Sequence, residues 1–327
     1  MIILIIVIIL IISCFIIYKF YQKKKETERI KKIETLIADW KLPEKNNLAD
    51  YEMVVRILTT KPIKATGFYL ISEFYFQKID RTELELKKLK DIYFELIENY
   101  PKFEKMDDVL FKLANIYFFD YFNFIESIKF YEKLLKEYPN SKWQKVAAER
   151  LKLIKSAYPN EEGALKKYAL AEKYFEVQEF NKTIEFLKSI LTSYPHTKLA
   201  GSAAYFLGDI FFFKKNDYTT ALHYYSLLVE RFSPHRYTGH SQFKIGDTYR
   251  KLHKYNEAIT AYKKFLENYN DFQYTDYAQY YIAQCYEEMK DWVYAIRTYK
   301  LLISSYPESI WVGIALSKIK NLEKLVK

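Results

Sequence analysis

The sequence predicts an all-α fold in which a single transmembrane helix precedes a solenoid of stacked helix pairs. One arrangement of small and aromatic residues recurs five times between Asp107 and Glu308. A fixed period of 20 to 50 residues is typical of an array of identical supersecondary units. In the last four copies, the central small residues lie 37, 38 and 37 residues apart: Ala171, Gly208, Gly246 and Ala283.

Each copy predicts two amphipathic helices joined by a short polar turn, such as residues 214–217 or 251–254. Apolar, small and aromatic residues fall at helical spacing in the first helix, which indicates one buried stripe. Small residues in both helices let the two backbones approach, and a larger side chain there would cost about 1–3 kcal/mol through overpacking. A proline ends most of the second helices, because it cannot continue the hydrogen-bond ladder. These prolines are Pro139, Pro195, Pro234 and Pro307.

The pattern resembles the tetratricopeptide repeat, and the resemblance covers about two thirds of the chain. One copy reads Ile282-Ala283, Tyr286, Ala295, Tyr299 and Tyr306-Pro307. The long period and the recurring Tyr-Pro ending look most like the repeats of bacterial envelope proteins, of the BamD-like and Tol–Pal-associated types. The resemblance implies a right-handed helical solenoid that binds proteins and is not an enzyme.

Residues 1–18 form an unbroken apolar run that predicts a membrane anchor. With a rise of about 1.5 Å per residue, a helix extended to Tyr21 is just long enough to span a bilayer. Four lysines follow at positions 19 and 23–25, and the positive-inside rule then places the repeats in the cytoplasm of a single-pass inner-membrane protein. Two alternatives stay open: a periplasm-facing protein, and lipidation at Cys14, where Ile11-Ile12-Ser13-Cys14 resembles a lipobox.

Four segments are predicted along the chain. The first is the anchor, and the second is a basic juxtamembrane helical stalk. A region of degenerate repeats follows, and then regular repeats with a capping helix, because the end of a repeat array needs a more polar outer face. The predicted bounds are 1–22, 23–62, 63–160 and 161–327.

Composition and motifs give no support to an enzyme. The 327 residues include only seven glycines, and none of them forms a phosphate-cradling cluster. The five histidines are scattered, and no metal site, cofactor site or small-molecule substrate site is predicted. Residues 19–32 supply half of the net charge of +10, and the rest of the chain is mildly basic. A basic nucleic-acid-binding scaffold is therefore kept as a weaker alternative, without a dedicated motif behind it.

The resemblance also implies where a partner would bind, namely on the face formed by the first helices of the repeats. An aromatic position and a polar position recur on that face, and both predict contact with a bound peptide or protein. Phe212 is a further candidate for partner contact, because it and Phe213 are consecutive aromatic residues and cannot both enter one buried stripe. The aromatic column is Phe111, Tyr168, Tyr205, Phe243 and Tyr280, and the polar column is Asn115, Glu172, Asp209, Asp247 and Gln284.

The sequence thus predicts a membrane-anchored, non-enzymatic adaptor that holds a protein or peptide in a concave groove. The alternative of the same kind is an envelope-assembly factor facing the periplasm. Neither the partner nor the pathway follows from the residues.

Overall fold

The computed structural model describes residues 2–44, 48–78, 80–270 and 272–326, with side chains from Lys19 onward. Sixteen α-helices and no strand occur within these residues. The chain divides into two compact units: residues 1–155, called unit 1, and residues 156–327, called unit 2. The prediction of an all-α helical repeat solenoid is confirmed at this level.

Unit 1 begins with one long helix that covers most of the predicted anchor and the start of the predicted stalk. Ile33 and Ile37 of this helix are buried. One shorter helix and two helix pairs follow, and a further helix runs across the boundary between the units. The helices are α1 (Ile2–Ala38), α2 (Leu48–Ile57), α3 (Lys61–Phe76), α4 (Glu83–Asn99), α5 (Met106–Phe119), α6 (Phe124–Glu137) and α7 (Gln144–Ala157).

Unit 2 consists of four helix pairs and a final helix. Each helix packs against the next, and first helices also contact one another directly at α8 with α10 and at α12 with α14. The first helices therefore lie side by side, and we call the surface they form the first-helix face. The helices are α8 (Glu162–Glu176), α9 (Phe180–Ser193), α10 (Lys198–Phe213), α11 (Tyr218–Arg231), α12 (Thr238–Lys251), α13 (Tyr255–Asn268), α14 (Thr275–Glu288), α15 (Trp292–Ser305) and α16 (Val312–Leu322).

From α5 onward, the turn between the two helices of each pair follows one rule. The residue just before the start of the second helix adopts a positive φ, for example 52° at Asn216 and 59° at Lys290. The next residue donates its backbone N–H to the backbone carbonyl of the aromatic residue in the first helix, as Asp217 does to Phe211 at 2.9 Å. Such left-handed endings satisfy the last carbonyls of a helix. Asp217 then accepts a hydrogen bond from the Thr220 N–H, so the same residue begins the second helix.

Small residues permit close contact between the two helices of a repeat, as predicted. A Cβ atom on Gly246 would lie 2.6 Å from the ring of Tyr262, and one on Gly208 would lie 2.5 Å from the ring of Tyr225. Both tyrosine rings are fully buried. Glycine at these positions is therefore required by the approach of a second-helix tyrosine and not by backbone conformation.

The predicted membrane anchor is not supported by the described part of the chain. None of the helices searched there combines the length and the apolar character needed to cross a bilayer. The apolar segment 1–18 and Cys14 lie outside the residues whose side chains are described.

The final helix differs from the predicted polar cap. Ile314, Leu316 and Leu325 are exposed on or just after α16, beside exposed polar residues such as Lys320. Ala315 and Ile319 turn the opposite side of α16 toward the core of unit 2. The outer surface at this end of unit 2 is therefore mixed and not uniformly polar.

Candidate partner-binding surface

The aromatic column of the first helices packs against aromatic residues of the following inter-repeat turns. Phe111 stacks on Trp143 with ring centroids 4.2 Å apart, and Tyr280 stacks on Trp311 at 4.1 Å. Phe243 packs on Tyr274 at 5.0 Å in the same way. These stacks join successive repeats within each unit.

Burial separates the members of this column. Phe111, Tyr168, Phe243 and Tyr280 are buried, whereas Tyr205 is only half-buried. A side chain covered by its own chain offers a partner little surface. Phe111, Tyr168, Phe243 and Tyr280 therefore present little accessible surface to a partner.

The polar column is held by tyrosine hydroxyls from the second helices. Tyr225 donates to Asp209 at 2.6 Å, and Tyr262 donates to Asp247 at 2.7 Å. Tyr131 donates to Asn115 in unit 1 in the same way. The carboxylates and the amide thus accept hydrogen bonds inside their own repeats, which links the two helices of each pair.

Two members of the polar column depart from this arrangement. In the repeat that contains Glu172, the second helix carries Leu187 in place of the tyrosine. A tyrosine hydroxyl at that position is therefore not available to donate to Glu172. Gln284 donates to the hydroxyl of Tyr280 at 3.1 Å. In that last repeat the second-helix Tyr299 donates instead to Glu287, at 2.9 Å.

Burial sets the protonation behaviour of Asp209. Desolvation raises its pKa above the ordinary value, and the hydrogen bond from Tyr225 and the nearby charge of Lys244 only partly oppose this effect. Asp247 has more cationic neighbours, because Lys244 lies 3.1 Å and Arg250 lies 3.6 Å from its carboxylate oxygens. Arg250 also covers the ring of Tyr281 at 4.2 Å.

Phe212 and Phe213 occupy different environments, as two consecutive aromatic residues must. Phe212 is 7% exposed and packs between α10 and α11 against Tyr218 and Tyr225, whereas Phe213 is 55% exposed. Lys244 lies over the Phe213 ring, 4.8 Å from its centroid. The structure therefore presents Phe213, and not the predicted Phe212, at the surface.

Charge changes sign along the ends of the first helices in unit 2. Exposed Lys214 and Lys215 follow α10, and Arg250 with Lys251 ends α12. The end of α14 carries Glu287 and Glu288 instead, beside a cleft of about 670 Å³ that Lys318 of α16 also lines. The first-helix face therefore presents an aromatic and basic region followed by an acidic one.

No group of three or more histidine, cysteine or acidic residues suited to a metal ion occurs among the described residues. Cys285 is buried, and burial raises the pKa of its thiol to about 12. A thiol with so high a pKa is protonated at neutral pH and is a poor nucleophile. It packs among the core residues of α13 and α14.

Comparison with known proteins identifies the repeat. A family model described as tetratricopeptide repeat matches residues 108–141, 240–271 and 277–309. The chain therefore contains tetratricopeptide repeats, which are protein-interaction modules and are generally not enzymatic. None of the comparisons supports the finer resemblance to BamD-like or Tol–Pal-associated proteins.

Solved structures show only distant similarity. The MamA protein is 18% identical, with 62% of this chain and 93% of that chain covered and a TM-score of 0.39. The Cut9–Hcn1 structure of the APC/C hetero-tetramer is 17% identical, with 85% and 52% covered and a TM-score of 0.39. A thermophilic tetratricopeptide-repeat protein of Thermus thermophilus is 16% identical, with 65% and 98% covered and a TM-score of 0.32. No curated protein matches the sequence.

Sequence reasoning missed the tyrosine hydrogen bonds and the stacks between repeats. Two signals for them were present. A tyrosine recurs in the second helices at positions 131, 225, 262 and 299, and an aromatic residue follows four of the five column positions after 31 or 32 residues, at positions 143, 237, 274 and 311. Both patterns have the period of the repeat and indicate contacts made in most copies.

Proposed function

We propose that this protein is a membrane-anchored, non-enzymatic scaffold that binds a protein partner on the first-helix face of unit 2. The observation that carries the proposal is the exposed Phe213 ring, placed beside Lys244 on a surface whose column of aromatic residues is otherwise buried or half-buried. Aromatic residues are enriched at the centres of protein interfaces, and a few of them carry most of the binding energy.

The charge order along this face favours one orientation of the partner. An acidic partner segment fits the basic ends of α10 and α12, and a basic segment fits the exposed Glu288 at the end of α14. Glu287 beside it is already paired with Lys318 at 2.7 Å. Complementary charges of this kind raise association rates and exclude wrongly oriented complexes more than they add affinity. Binding is therefore expected to weaken as the salt concentration rises.

The membrane anchor is part of the proposal and rests on the sequence. The apolar segment 1–18 precedes lysines that are exposed on α1, among them Lys23, Lys24 and Lys25. Phe20 and Tyr21 are exposed as well, in the position where aromatic residues meet the bilayer surface. The positive-inside rule then places the repeats in the cytoplasm, and a periplasmic or Cys14-lipidated form is the alternative.

Capture of the partner from detergent-solubilised membranes tests the binding surface. Full-length tagged protein is expected to retain one or a few discrete proteins, and Phe213→Ala should reduce their yield at least about tenfold. Leu301→Ala is the matched control, because Leu301 is also exposed but lies on the second helix α15. Equal loss from both variants, or no loss from Phe213→Ala, would contradict the assignment of the surface.

Membrane attachment has its own test. Removal of residues 1–22 should move the protein from the membrane pellet to the supernatant after an alkaline wash. Protease added to intact spheroplasts should leave the repeats uncut if they are cytoplasmic. Digestion of the repeats would instead indicate the periplasmic alternative.

A further inference from the structure

A second candidate site lies in unit 1. A pocket of about 590 Å³ opens between the end of α1, the first turns of α3 and the turn after α4. We call it the Trp40 pocket. Its lining includes Trp40, Lys61, Pro62, Tyr100, Lys102 and Phe103. This volume lies within the range of ligand-binding clefts, roughly 300–1,000 Å³.

The floor of the Trp40 pocket is aromatic and apolar. The ring of Trp40 lies parallel to that of Phe103 at 6.2 Å and meets Tyr69 edge-on at 5.9 Å. Phe103 also contacts Tyr69, at 5.6 Å. Trp40 remains 39% exposed although its neighbours hold it in one orientation. A fixed and open aromatic ring can receive an apolar side chain without first losing conformational freedom.

The backbone of Trp40 is held in the same way. Its φ of 55° is unusual for a large side chain, and Gly or Asn would adopt it with less strain. The Lys41 N–H donates to the Leu36 carbonyl at 2.8 Å, which closes the end of α1 around Trp40. A tryptophan at this position is therefore placed by its ring contacts at some cost to the backbone.

The rim of the Trp40 pocket is basic. Lys61 and Lys102 line it, and Lys105 lies over the Trp40 ring at 5.8 Å. Glu104 is the one acidic residue in the described lining. The apolar floor and the basic rim together fit a ligand that carries one large apolar group between negative charges.

We propose that the Trp40 pocket binds an acidic peptide segment of a partner protein through one large apolar side chain. The apolar side chain enters between Trp40, Pro62 and Phe103, and flanking carboxylates pair with Lys61 and Lys102. The site goes beyond the partner surface proposed for unit 2 and does not depend on it.

The length of α1 favours a peptide over a membrane lipid as the ligand. The proposed anchor places the bilayer surface near Tyr18, and α1 continues without interruption to Ala38. These residues span about 30 Å at ~1.5 Å per residue. Electrostatic attraction to lipid headgroups is screened over about 8–10 Å at physiological salt. The pocket therefore lies beyond the reach of the headgroups when α1 stands away from the membrane.

The test uses a fluorescein-labelled peptide with one phenylalanine between two pairs of glutamates, titrated against full-length protein in detergent by fluorescence anisotropy. We expect saturable binding below about 1 mM that weakens as salt is added. Trp40→Ala should weaken it about tenfold or more, and Lys61→Glu with Lys102→Glu should do the same. The matched control is Lys136→Glu with Lys145→Glu, which changes the net charge equally at exposed positions of unit 1 outside the pocket. This control should bind as the wild type does.

Several outcomes would overturn the proposal. These are no binding up to about 1 mM, equal binding of a peptide with lysine in place of glutamate, and equal loss in the control variant. Phosphatidylserine vesicles form a further arm with the variant that lacks residues 1–22. If substitution of Lys61 and Lys102 weakens vesicle binding but leaves peptide binding unchanged, the pocket is a lipid site instead. Melting curves are recorded for every variant, and the charge variants decide the result if Trp40→Ala unfolds. Phe213→Ala should leave the peptide titration unchanged, which separates this site from that of unit 2.

Discussion

Substitution of Gly246 by alanine tests how closely the two helices of a repeat pack. An added Cβ would lie 2.6 Å from two ring carbons of Tyr262, whereas ordinary contacts begin near 3.4 Å. The ring must therefore move by nearly 1 Å. It cannot move freely, because it is fully buried and its hydroxyl donates to Asp247 at 2.7 Å.

The expected change in stability is the balance of two effects. Alanine favours the helix over glycine by about 0.4–1 kcal/mol. Overpacking a filled interior costs about 1–3 kcal/mol, and a weakened hydrogen bond to Asp247 adds about 1 kcal/mol. Gly246→Ala should therefore lower the free energy of unfolding by about 1–3 kcal/mol, although alanine is the better helix former.

Gly313→Ala is the matched control in the same unit. Gly313 also lies in a helix, α16, but nothing lies within 4 Å of an added Cβ. The same substitution should there raise the free energy of unfolding by up to about 1 kcal/mol. Thermal melts followed by far-ultraviolet circular dichroism measure both, with about 2–4 °C expected per kcal/mol for a unit of this size.

A double variant shows whether the tyrosine ring is the cause. Tyr262→Leu is destabilising by itself, but it removes the atoms that an alanine at position 246 would meet. The cost of Gly246→Ala should then largely disappear in the Tyr262→Leu background. The reasoning is refuted if Gly246→Ala stabilises the protein as Gly313→Ala does, or if its cost is unchanged without the Tyr262 ring.

Two further predictions concern unit 2. Because burial raises the pKa of Asp209, its contribution to stability is fully present below the ordinary aspartate pKa and is lost as pH rises through the folded-state pKa. Asp209→Asn keeps an acceptor for the Tyr225 hydroxyl and should flatten that part of the stability–pH profile in urea titrations; a profile unchanged from the wild type would contradict this. Phe212→Ala should lower the free energy of unfolding by about 3–5 kcal/mol because the ring is buried, whereas Phe213→Ala should change it by less than about 0.5 kcal/mol; similar values for the two in the same titrations would contradict their assigned environments.

The helices and their pairing could be predicted from the sequence because they depend on local spacing. Small residues such as Gly208 and Ala283 recur with the repeat period, and the structure places Gly208 at a helix–helix contact. The turn inside the repeat could also be predicted from the sequence, since a polar residue such as Asp217 both ends the turn and begins the next helix. These features need no knowledge of distant contacts.

The sequence could not predict in the same way which candidate residues are free to contact a partner. Spacing places Tyr280 and Asp247 on the first-helix face, but it does not show that Trp311 covers the first or that Tyr262 binds the second. Those partners come from another helix or from a later turn. The sequence predicted that one of the two neighbouring residues Phe212 and Phe213 is exposed. Which of them is exposed depends on the packing of α10, which the sequence does not show.

Site-specific photo-crosslinking from position 213 in living cells tests the central claim most directly. A photoreactive phenylalanine analogue replaces Phe213 in one strain and Leu301, on the second helix α15, in another. We expect a discrete crosslinked protein from position 213 that is absent from position 301. The same adducts from both positions, or an adduct from position 301 alone, would contradict the claim that the first-helix face binds the partner.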